Sequence, residues 1–182
     1  DFHWTQLGAY YAAEEFSKIS GLPFKTLDSG SYTKQGKYNE DGSPQGFYGY
    51  YYSKLGSPKV LKDNPDEFFW FEYNEPYNVE YYDVETGKNL MAERPTCYLT
   101  VNHAASWYMT FLGGDNRLAK ITTGTKNGRT AVVYKDSFGN CFAPLLVSMY
   151  ETIYVVDFRF YTGNSISFCK EVGATDVIFA LS

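Results

Sequence analysis

Ser137 is the residue whose surroundings point most directly to chemistry. It stands in a polar turn, Lys-Asp-Ser-Phe-Gly-Asn at 135–140, which follows an apolar run at 131–134 and precedes a segment with a helical pattern. A strand that ends in such a turn presents a serine hydroxyl above a sheet, and the N–H groups that open the next helix favour an oxyanion there. The turn therefore predicts a nucleophilic serine. A structural role, with Asp136 forming an Asx turn or capping the helix, explains the same residues.

A nucleophilic serine needs a general base, and the chain has only two histidines. His103 has no acidic neighbour. His3 follows Asp1 by two residues, so that the carboxylate can hold one imidazole nitrogen and leave the other to accept the serine proton. An N-cap cluster for the first helix or half of a metal site are the alternatives. Because further clustered ligands are lacking, we expect no metal, and no cofactor is indicated.

The three cysteines offer a second possible nucleophile. Cys97, Cys141 and Cys169 show no Cys-x-x-Cys spacing, so they are expected to be small core residues rather than zinc ligands. A cysteine enzyme built on Cys141 and His103 is disfavoured by position. Cys141 falls inside the helix that follows the Ser137 turn, where its sulfur should face the core.

Hydrophobic patterning predicts the elements that would position these groups. Residues 5–20 have helical spacing, with Thr5 as N-cap and Gly21 and Pro23 as stop signals. Four β-rich runs alternate with two helical segments in the last third of the chain: 118–122, 131–134, 140–149 (helical), 152–157, 165–172 (helical) and 177–181. Nearly continuous apolar strands separated by helices favour a parallel sheet covered on both faces, and therefore an α/β fold.

Size and charge exclude several classes of protein. The 182 residues predict one domain, 1–182, in which an aromatic-rich insertion covers about 40–95. A formal net charge of -5 and the lack of a basic stretch argue against a nucleic-acid partner. The longest apolar runs are too short to span a membrane.

Several segments together resemble a known family. They are the opening motif Asp-Phe-His-Trp-Thr-x-x-Gly-Ala-Tyr-Tyr at 1–11, the serine block at 135–140, and the shorter segments 46–49, 113–116 and 154–161. In their order along the chain they resemble the bacterial DHHW protein family, a branch of the SGNH-hydrolase-like proteins related to the SGNH-like proteins of alginate O-acetylation. Phe2 replaces the family's first histidine, and Lys135 replaces the glycine of ordinary SGNH sites.

The resemblance implies a fold and a set of roles. The fold would be a flavodoxin-like, SGNH-type three-layer sandwich with a mostly parallel sheet. Ser137 would be the nucleophile, His3 the general base and Asp1 the carboxylate that orients it. Gly114 and Asn116 would join the serine N–H in the oxyanion hole. Because the family has a substantial segment before its catalytic aspartate, we expect the 182 residues to be a fragment.

The function expected from these residues is that of an SGNH-type serine esterase or O-acetyltransferase. It would act through an acyl-enzyme on acyl groups of a cell-surface or extracellular glycan, in an extracytoplasmic bacterial location and in association with cell-surface machinery. Tyr48 and Tyr51 could line the glycan cleft or pack within the insertion, and Arg159 could bind an acidic substrate or form an ion pair. The rival hypothesis is a non-catalytic domain that binds a glycan or another partner on the same scaffold.

Overall fold

The computed structural model describes residues 1–115 and 118–182. The α-helices are α1 (Gln6–Ser20), α2 (Gly49–Lys54), α3 (Lys59–Lys62), α4 (Gly139–Phe142) and α5 (Ser165–Glu171). The strands are β1 (Tyr32–Gly36), β2 (Gly46–Phe47), β3 (Asp66–Glu67), β4 (Phe69–Tyr73), β5 (Tyr77–Tyr82), β6 (Leu90–Arg94), β7 (Leu118–Thr123), β8 (Thr130–Lys135), β9 (Thr152–Asp157) and β10 (Asp176–Ala180). Short 3-10 helices lie at Leu27–Ser29, Ala104–Thr110 and Ala143–Ser148.

A six-stranded mixed sheet forms the centre of the molecule, in the order β10-β8-β9-β7-β5-β6. β8 is parallel to both of its neighbours, whereas the pairs β9–β7, β7–β5 and β5–β6 are antiparallel. The predicted flavodoxin-like sandwich with a mostly parallel sheet is therefore wrong; the fold is mixed α/β with a mostly antiparallel sheet. Only residues 124–129 join β7 to β8. A parallel crossover needs a dozen or more residues, so β7 runs opposite to β8 and β9.

The positions of the last four strands agree with the sequence pattern. The predicted runs 118–122, 131–134, 152–157 and 177–181 coincide with β7, β8, β9 and β10 to within one or two residues at each end. In the parallel pair β8–β9, Lys135 lies opposite Asp157. Two chemically distinctive side chains thus leave the carboxyl ends of adjacent strands together.

Helices cover both faces of the sheet near β8. On one face, α1 packs against α4 and the 3-10 helix that follows it, and every residue of Gly139–Phe142 and Ala143–Ser148 is buried. On the other face, Phe168 and Cys169 of α5 pack against Val132 and Tyr134 of β8. The turn that contains Ser137 therefore enters a helix that the core holds in place.

Local signals set the ends of the helices as expected. Thr5 caps α1, its Oγ1 accepting a hydrogen bond from Gly8 N at 3.2 Å, and Gly21 ends the helix in the left-handed region at φ 68°. The predicted helix at 165–172 is α5. The predicted helix at 140–149 is one turn of α-helix, α4, continued by a 3-10 segment, because Pro144 supplies no N–H for α-helical bonding.

The aromatic-rich region 40–95 contributes to several parts of the fold. β5 and β6 are strands of the central sheet, β4 pairs with β1, and β2 pairs with β3. α2 places Tyr50 beside the amino-terminal residues, and β4 lies against α1. None of the helices within 1–115 and 118–182 has the length and apolar character required to cross a bilayer.

Candidate active site

The turn between β8 and α4 places Ser137 at the carboxyl edge of the sheet. Asp136 Oδ1 accepts a hydrogen bond from Phe138 N at 2.9 Å, so the Asx turn considered from sequence is formed. Asp136 Oδ2 accepts hydrogen bonds from Ser182 N and Oγ at 2.9 and 2.7 Å. Asp136 is thus occupied in shaping the turn, while the neighbouring Ser137 side chain lines an open cleft.

Gly139 permits this turn to lie close to the sheet. A Cβ at Gly139 would lie 2.3 Å from Lys135 Cβ and 3.2 Å from Ala180 Cβ. No larger residue fits without moving the turn away from β8 and β10. Glycine at 139 is therefore required for steric reasons, and it lets the turn hold Ser137 close to the edge of the sheet.

Asp1 and His3 form a hydrogen-bonded pair. Asp1 Oδ1 lies 2.6 Å from His3 Nδ1 and also accepts the His3 backbone N–H at 2.9 Å. Asp1 Oδ2 accepts Tyr50 N at 2.8 Å. Both side chains are largely buried, at 12% and 10% exposed. The carboxylate therefore holds Nδ1 as the protonated nitrogen and directs Nε2 away from itself.

Gly49 makes room for Asp1. It has a positive φ of 68°, and a Cβ at this position would lie between 2.6 and 2.8 Å from the backbone N, Cα and Cβ of Asp1. The absence of a side chain lets Asp1 approach the first turn of α2, where Tyr50 N is free to donate to it. The segment 46–49 thus supports the carboxylate of the pair.

Tyr108 connects His3 to the Ser137 turn. Its ring stacks on the imidazole with a centroid distance of 3.7 Å and an interplanar angle of 10°. Its hydroxyl donates to Ser137 O at 2.9 Å and contacts Cys141 Sγ at 3.3 Å. A second link comes from Trp4, whose Nε1 donates to Phe138 O at 2.8 Å. The two blocks of sequence at the start and in the last third of the chain are thereby joined.

His3 Nε2 is the unused nitrogen of the imidazole. It is buried and has no hydrogen-bond partner among the described residues. Burial disfavours the imidazolium and lowers the pKa of His3 to about 4; the carboxylates of Asp115 and Asp136 oppose this, and the α-amino group and Arg159 reinforce it. The Asp1 carboxylate on Nδ1 also favours the protonated form. At neutral pH the result is a neutral imidazole with an acceptor nitrogen.

The groups meet in one cleft of about 500 Å³. Its lining includes Asp1, His3, Tyr108, Gly114, Ser137 and Asn140. Within the described part of the chain no hydrogen bond joins His3 to Ser137. Catalytic hydrogen bonds are often long in structures without substrate, so the shared cleft, rather than a formed bond, is the relevant observation.

The two residues expected for the oxyanion hole have different outcomes. Gly114 is buried, has φ 93° and lines the cleft, and its N–H donates to Phe111 O at 3.2 Å. Asn116 lies outside the described residues. Asn140, which sequence reasoning passed over, lines the cleft and donates from Nδ2 to Asp115 Oδ1 at 2.9 Å.

The residues expected to bind substrate are absent from the described lining of the cleft. Tyr50, rather than Tyr48 or Tyr51, belongs to the described lining of the cleft. The Tyr51 ring lies 6.1 Å from that of Phe2, and the Tyr48 ring packs 4.8 Å from that of Tyr52. Arg159 forms ion pairs with Asp157 and Asp115 at 2.7 and 3.1 Å.

The cysteine alternative finds no support in the geometry. Cys141 is fully buried, its thiol contacts Phe138 O and Tyr108 Oη, and burial raises its pKa to about 12. His103 is exposed at the start of the 3-10 helix Ala104–Thr110. Among residues 1–115 and 118–182, no group of three or more His, Cys, Asp or Glu side chains is arranged to hold a metal ion.

Comparison with known proteins adds a family and a fold. The family model described as "DHHW protein" matches residues 1–156. A crystal structure of a DHHW family protein from Eubacterium siraeum is 32% identical, with a TM-score of 0.87 over 100% of this chain and 57% of that chain. Two structures of Bacillus cereus PatB1 are also similar, and one of them carries a sulfonyl adduct. Each is 18% identical with a TM-score of 0.73 over 100% of this chain; the match covers 58% of the chain with the adduct and 60% of the other. No curated protein is significantly similar.

At 18% identity, the likeness to PatB1 shows the fold alone. The chain also spans less than two thirds of each of these solved chains.

Proposed function

This chain belongs to the DHHW protein family, and from that premise we propose that it carries a serine-dependent acyl-transfer site for acyl esters of a glycan. The nucleophile would be Ser137, the general base His3 and the orienting carboxylate Asp1. The observation that carries the proposal is the buried Asp1–His3 pair: its Nε2 has no partner among the described residues, and His3 lines the same cleft as Ser137.

The proposed reaction begins when the Ser137 hydroxyl turns towards His3 Nε2. Oγ attacks the ester carbonyl carbon as its proton passes to Nε2, and Asp1 stabilises the imidazolium through Nδ1–H. The tetrahedral intermediate then collapses, and the departing alcohol takes the proton from Nε2. Water or a sugar hydroxyl attacks the carbonyl carbon of the resulting acyl-Ser137 as His3 Nε2 removes its proton. This second intermediate collapses by breaking the bond to Oγ, which takes the proton back from Nε2 and releases the acid or the new ester. Water makes the protein an esterase, and a sugar hydroxyl makes it an O-acyltransferase.

The negative charge of the tetrahedral intermediate needs donors on the side of the cleft opposite His3. The Ser137 N–H, Gly114 and Asn116 are the donors we propose; the Gly114 N–H donates to Phe111 O at 3.2 Å and would have to turn from it to the oxyanion, and Asn116 lies outside the described residues. Asn140 is a further candidate, because its Nδ2 carries two N–H groups and one of them donates to Asp115.

Aromatic rings at the mouth of the cleft support a glycan as the substrate. Phe2, Tyr50 and Phe160 line the cleft and are 38%, 44% and 40% exposed. The Phe2 and Tyr50 rings meet edge to face at a centroid distance of 5.1 Å. Exposed rings with apolar faces and, in tyrosine, a polar tip are suited to contacts with sugar rings. An extracytoplasmic site and an association with cell-surface machinery are parts of the same proposal.

The relative PatB1 offers indirect support. Its structure was solved with a sulfonyl adduct. A sulfonyl group attaches covalently to a nucleophile that displaces a leaving group from sulfur, so a protein of this fold contains such a nucleophile.

The rival is a glycan-binding domain without catalysis, and the missing bond between Ser137 and His3 favours it. Hydrolysis of a chromogenic acetyl ester, with and without an oligosaccharide acceptor, separates the two. We expect Ser137→Ala to abolish turnover with an unfolding free energy within about 1 kcal/mol of wild type. Ser106→Ala, which removes another hydroxyl that lines the cleft, is the control and should retain turnover. Turnover that survives Ser137→Ala would refute the nucleophile, and binding of the oligosaccharide without turnover would support the rival.

A further inference from the structure

A buried ion pair lies beneath the carboxyl ends of β8 and β9. Lys135 and Asp157 are 1% and 0% exposed, and Lys135 Nζ donates to Asp157 Oδ2 at 2.7 Å. Burial lowers the pKa of Lys135, and the pairing with Asp157 opposes that effect. Burying two charges is costly unless each is paired and hydrogen-bonded, so such a pair marks a place where position matters.

Arg159 extends this pair towards the surface. Its Nε and Nη2 donate to Asp157 Oδ1 and Oδ2 at 2.9 and 2.7 Å, in a bidentate arrangement. The same Nη2 lies 3.1 Å from Asp115 Oδ1. Two carboxylates therefore engage Nε and Nη2 of the guanidinium.

Asp115 is the point at which this network reaches the cleft. Its Oδ1 accepts Asn140 Nδ2 at 2.9 Å as well as pairing with Arg159, and its backbone O lies 3.5 Å from Lys135 Nζ. The residue before it, Gly114, lines the cleft. The loop is thus tied through one residue to the end of β8, to the segment after β9 and to α4.

We propose that Arg159 is a positioning residue: with Lys135 and Asp157 it holds Asp115, and thereby keeps Gly114 and Asn140 facing Ser137. The inference rests on the proposed acyl-transfer function. It assigns Arg159 a role in placing the donors proposed for the oxyanion, Gly114 and Asn140, rather than in binding an acidic substrate. The network is neutral as a whole, since Lys135 and Arg159 balance Asp157 and Asp115.

Kinetics of Arg159→Met and Asp115→Ala test this role. Asp115→Ala leaves the buried Lys135–Asp157 pair intact and detaches only the loop that contains Gly114. It therefore replaces Arg159→Met as the test if Arg159→Met is poorly folded. Both should lower kcat by about tenfold to a hundredfold, the effect of misplacing catalytic groups by about an ångström, and change KM by no more than about twofold. The loss should be the same for 4-nitrophenyl acetate and for a nitrophenyl ester whose acyl chain carries a carboxylate. A KM increase confined to the anionic ester would overturn the proposal.

The matched control is Arg129→Met. Arg129 also forms a bidentate pair, with Asp176 at 2.6 to 3.1 Å, at the opposite end of β8, and its side chain is exposed to a similar degree. Removing it costs one bidentate pair, with a carboxylate that is 20% exposed, but leaves Asp115 in place. It should retain wild-type kcat and KM, and a loss equal to that of Arg159→Met would show a general effect of stability.

The pH profile reports whether the charges of the network act on the base. The charged groups that act on His3 are Asp1, Asp115, Asp136, Arg159 and the α-amino group. Removing the Arg159 charge should raise the pKa of His3 and shift the acid limb upward, whereas removing Asp115 should shift it downward. Shifts in the same direction, or none, would contradict a network that faces the base.

Amide hydrogen exchange separates this inference from the proposed function. In Arg159→Met and Asp115→Ala, exchange at Gly114, whose N–H donates to Phe111 O, should become at least about tenfold faster than in Arg129→Met. If wild type has no turnover, the acyl-transfer proposal fails while this result still decides whether the network holds the loop. Unchanged exchange at Gly114 would refute the network itself.

Discussion

Replacing Gly49 by alanine should separate the support of the Asp1–His3 pair from the stability of the fold. The new Cβ would lie 2.6 to 2.8 Å from three atoms of Asp1, two of them in the backbone, so either Asp1 or the start of α2 has to move by about an ångström. The movement breaks the hydrogen bond from Tyr50 N to Asp1 Oδ2 and tilts the carboxylate away from His3 Nδ1. A displacement of that size in a catalytic array costs about a hundredfold in rate.

The backbone strain of this substitution has its own control just beyond the same helix. Gly49 is the first residue of α2 and Gly56 lies two residues past its end; their φ values are 68° and 73°, and a Cβ at Gly56 would meet nothing within 4 Å. Both alanine variants should lose about 1 to 2 kcal/mol of unfolding free energy from the left-handed backbone. Only Gly49→Ala should also lose reactivity at Ser137.

The assay is the second-order rate of labelling by a small fluorophosphonate, followed by intact mass, together with urea unfolding of each variant. We expect Gly49→Ala to react about a hundredfold more slowly than Gly56→Ala at comparable stability. Equal labelling rates in the two variants would refute the argument that the close approach of Asp1 to Gly49 sets the geometry of the pair.

Three further outcomes follow from individual contacts. Tyr108→Phe keeps the ring on His3 but removes the hydrogen bond to Ser137 O, so it should lose about 1 kcal/mol of stability and slow labelling about tenfold; unchanged labelling would contradict a linking role. The labelling rate should be constant near neutral pH and fall in acid with a midpoint below 6.5, the ordinary pKa of histidine, because burial lowers the pKa of His3 to about 4. The free energy of unfolding should likewise decline as the pH falls below 6.5. A labelling midpoint above 6.5 would contradict a buried, neutral His3. Asn164→Ala removes the N-cap of α5, whose side-chain Oδ1 accepts a hydrogen bond from Ser167 N. It should lower the free energy of unfolding by about 1 kcal/mol, measured by thermal unfolding, with no change in the labelling rate. Slower labelling would mean that α5 influences the cleft.

Local sequence signals predicted the elements well where a residue's own chemistry decides the structure. Thr5 and Gly21 bound α1 as expected, and the apolar runs of β7 to β10 are strands. The direction of β7 was not predictable in the same way. A buried strand has the same composition whether its neighbour is parallel or antiparallel, and only the short connection 124–129 carried a signal against a parallel arrangement.

The sequence named three of the residues that line the cleft, and their catalytic roles stay a prediction. The scarcity of histidines pointed to His3 and Asp1, and the strand-turn pattern pointed to Ser137, and these three residues line one cleft. Tyr108 and Gly49 were missed because their roles arise from contacts between distant parts of the chain. A tyrosine in a sequence with 18 of them carries no individual signal, and the need for glycine at 49 appears only once Asp1 packs against it.

The most direct test of the account is where a fluorophosphonate attaches to this protein. Intact mass and peptide mapping should find a single adduct on Ser137, which His3→Ala abolishes while circular dichroism shows that the variant is folded. That result would establish that His3 activates Ser137. An adduct at another residue, or a folded protein that gains no adduct on Ser137, would contradict the central claim.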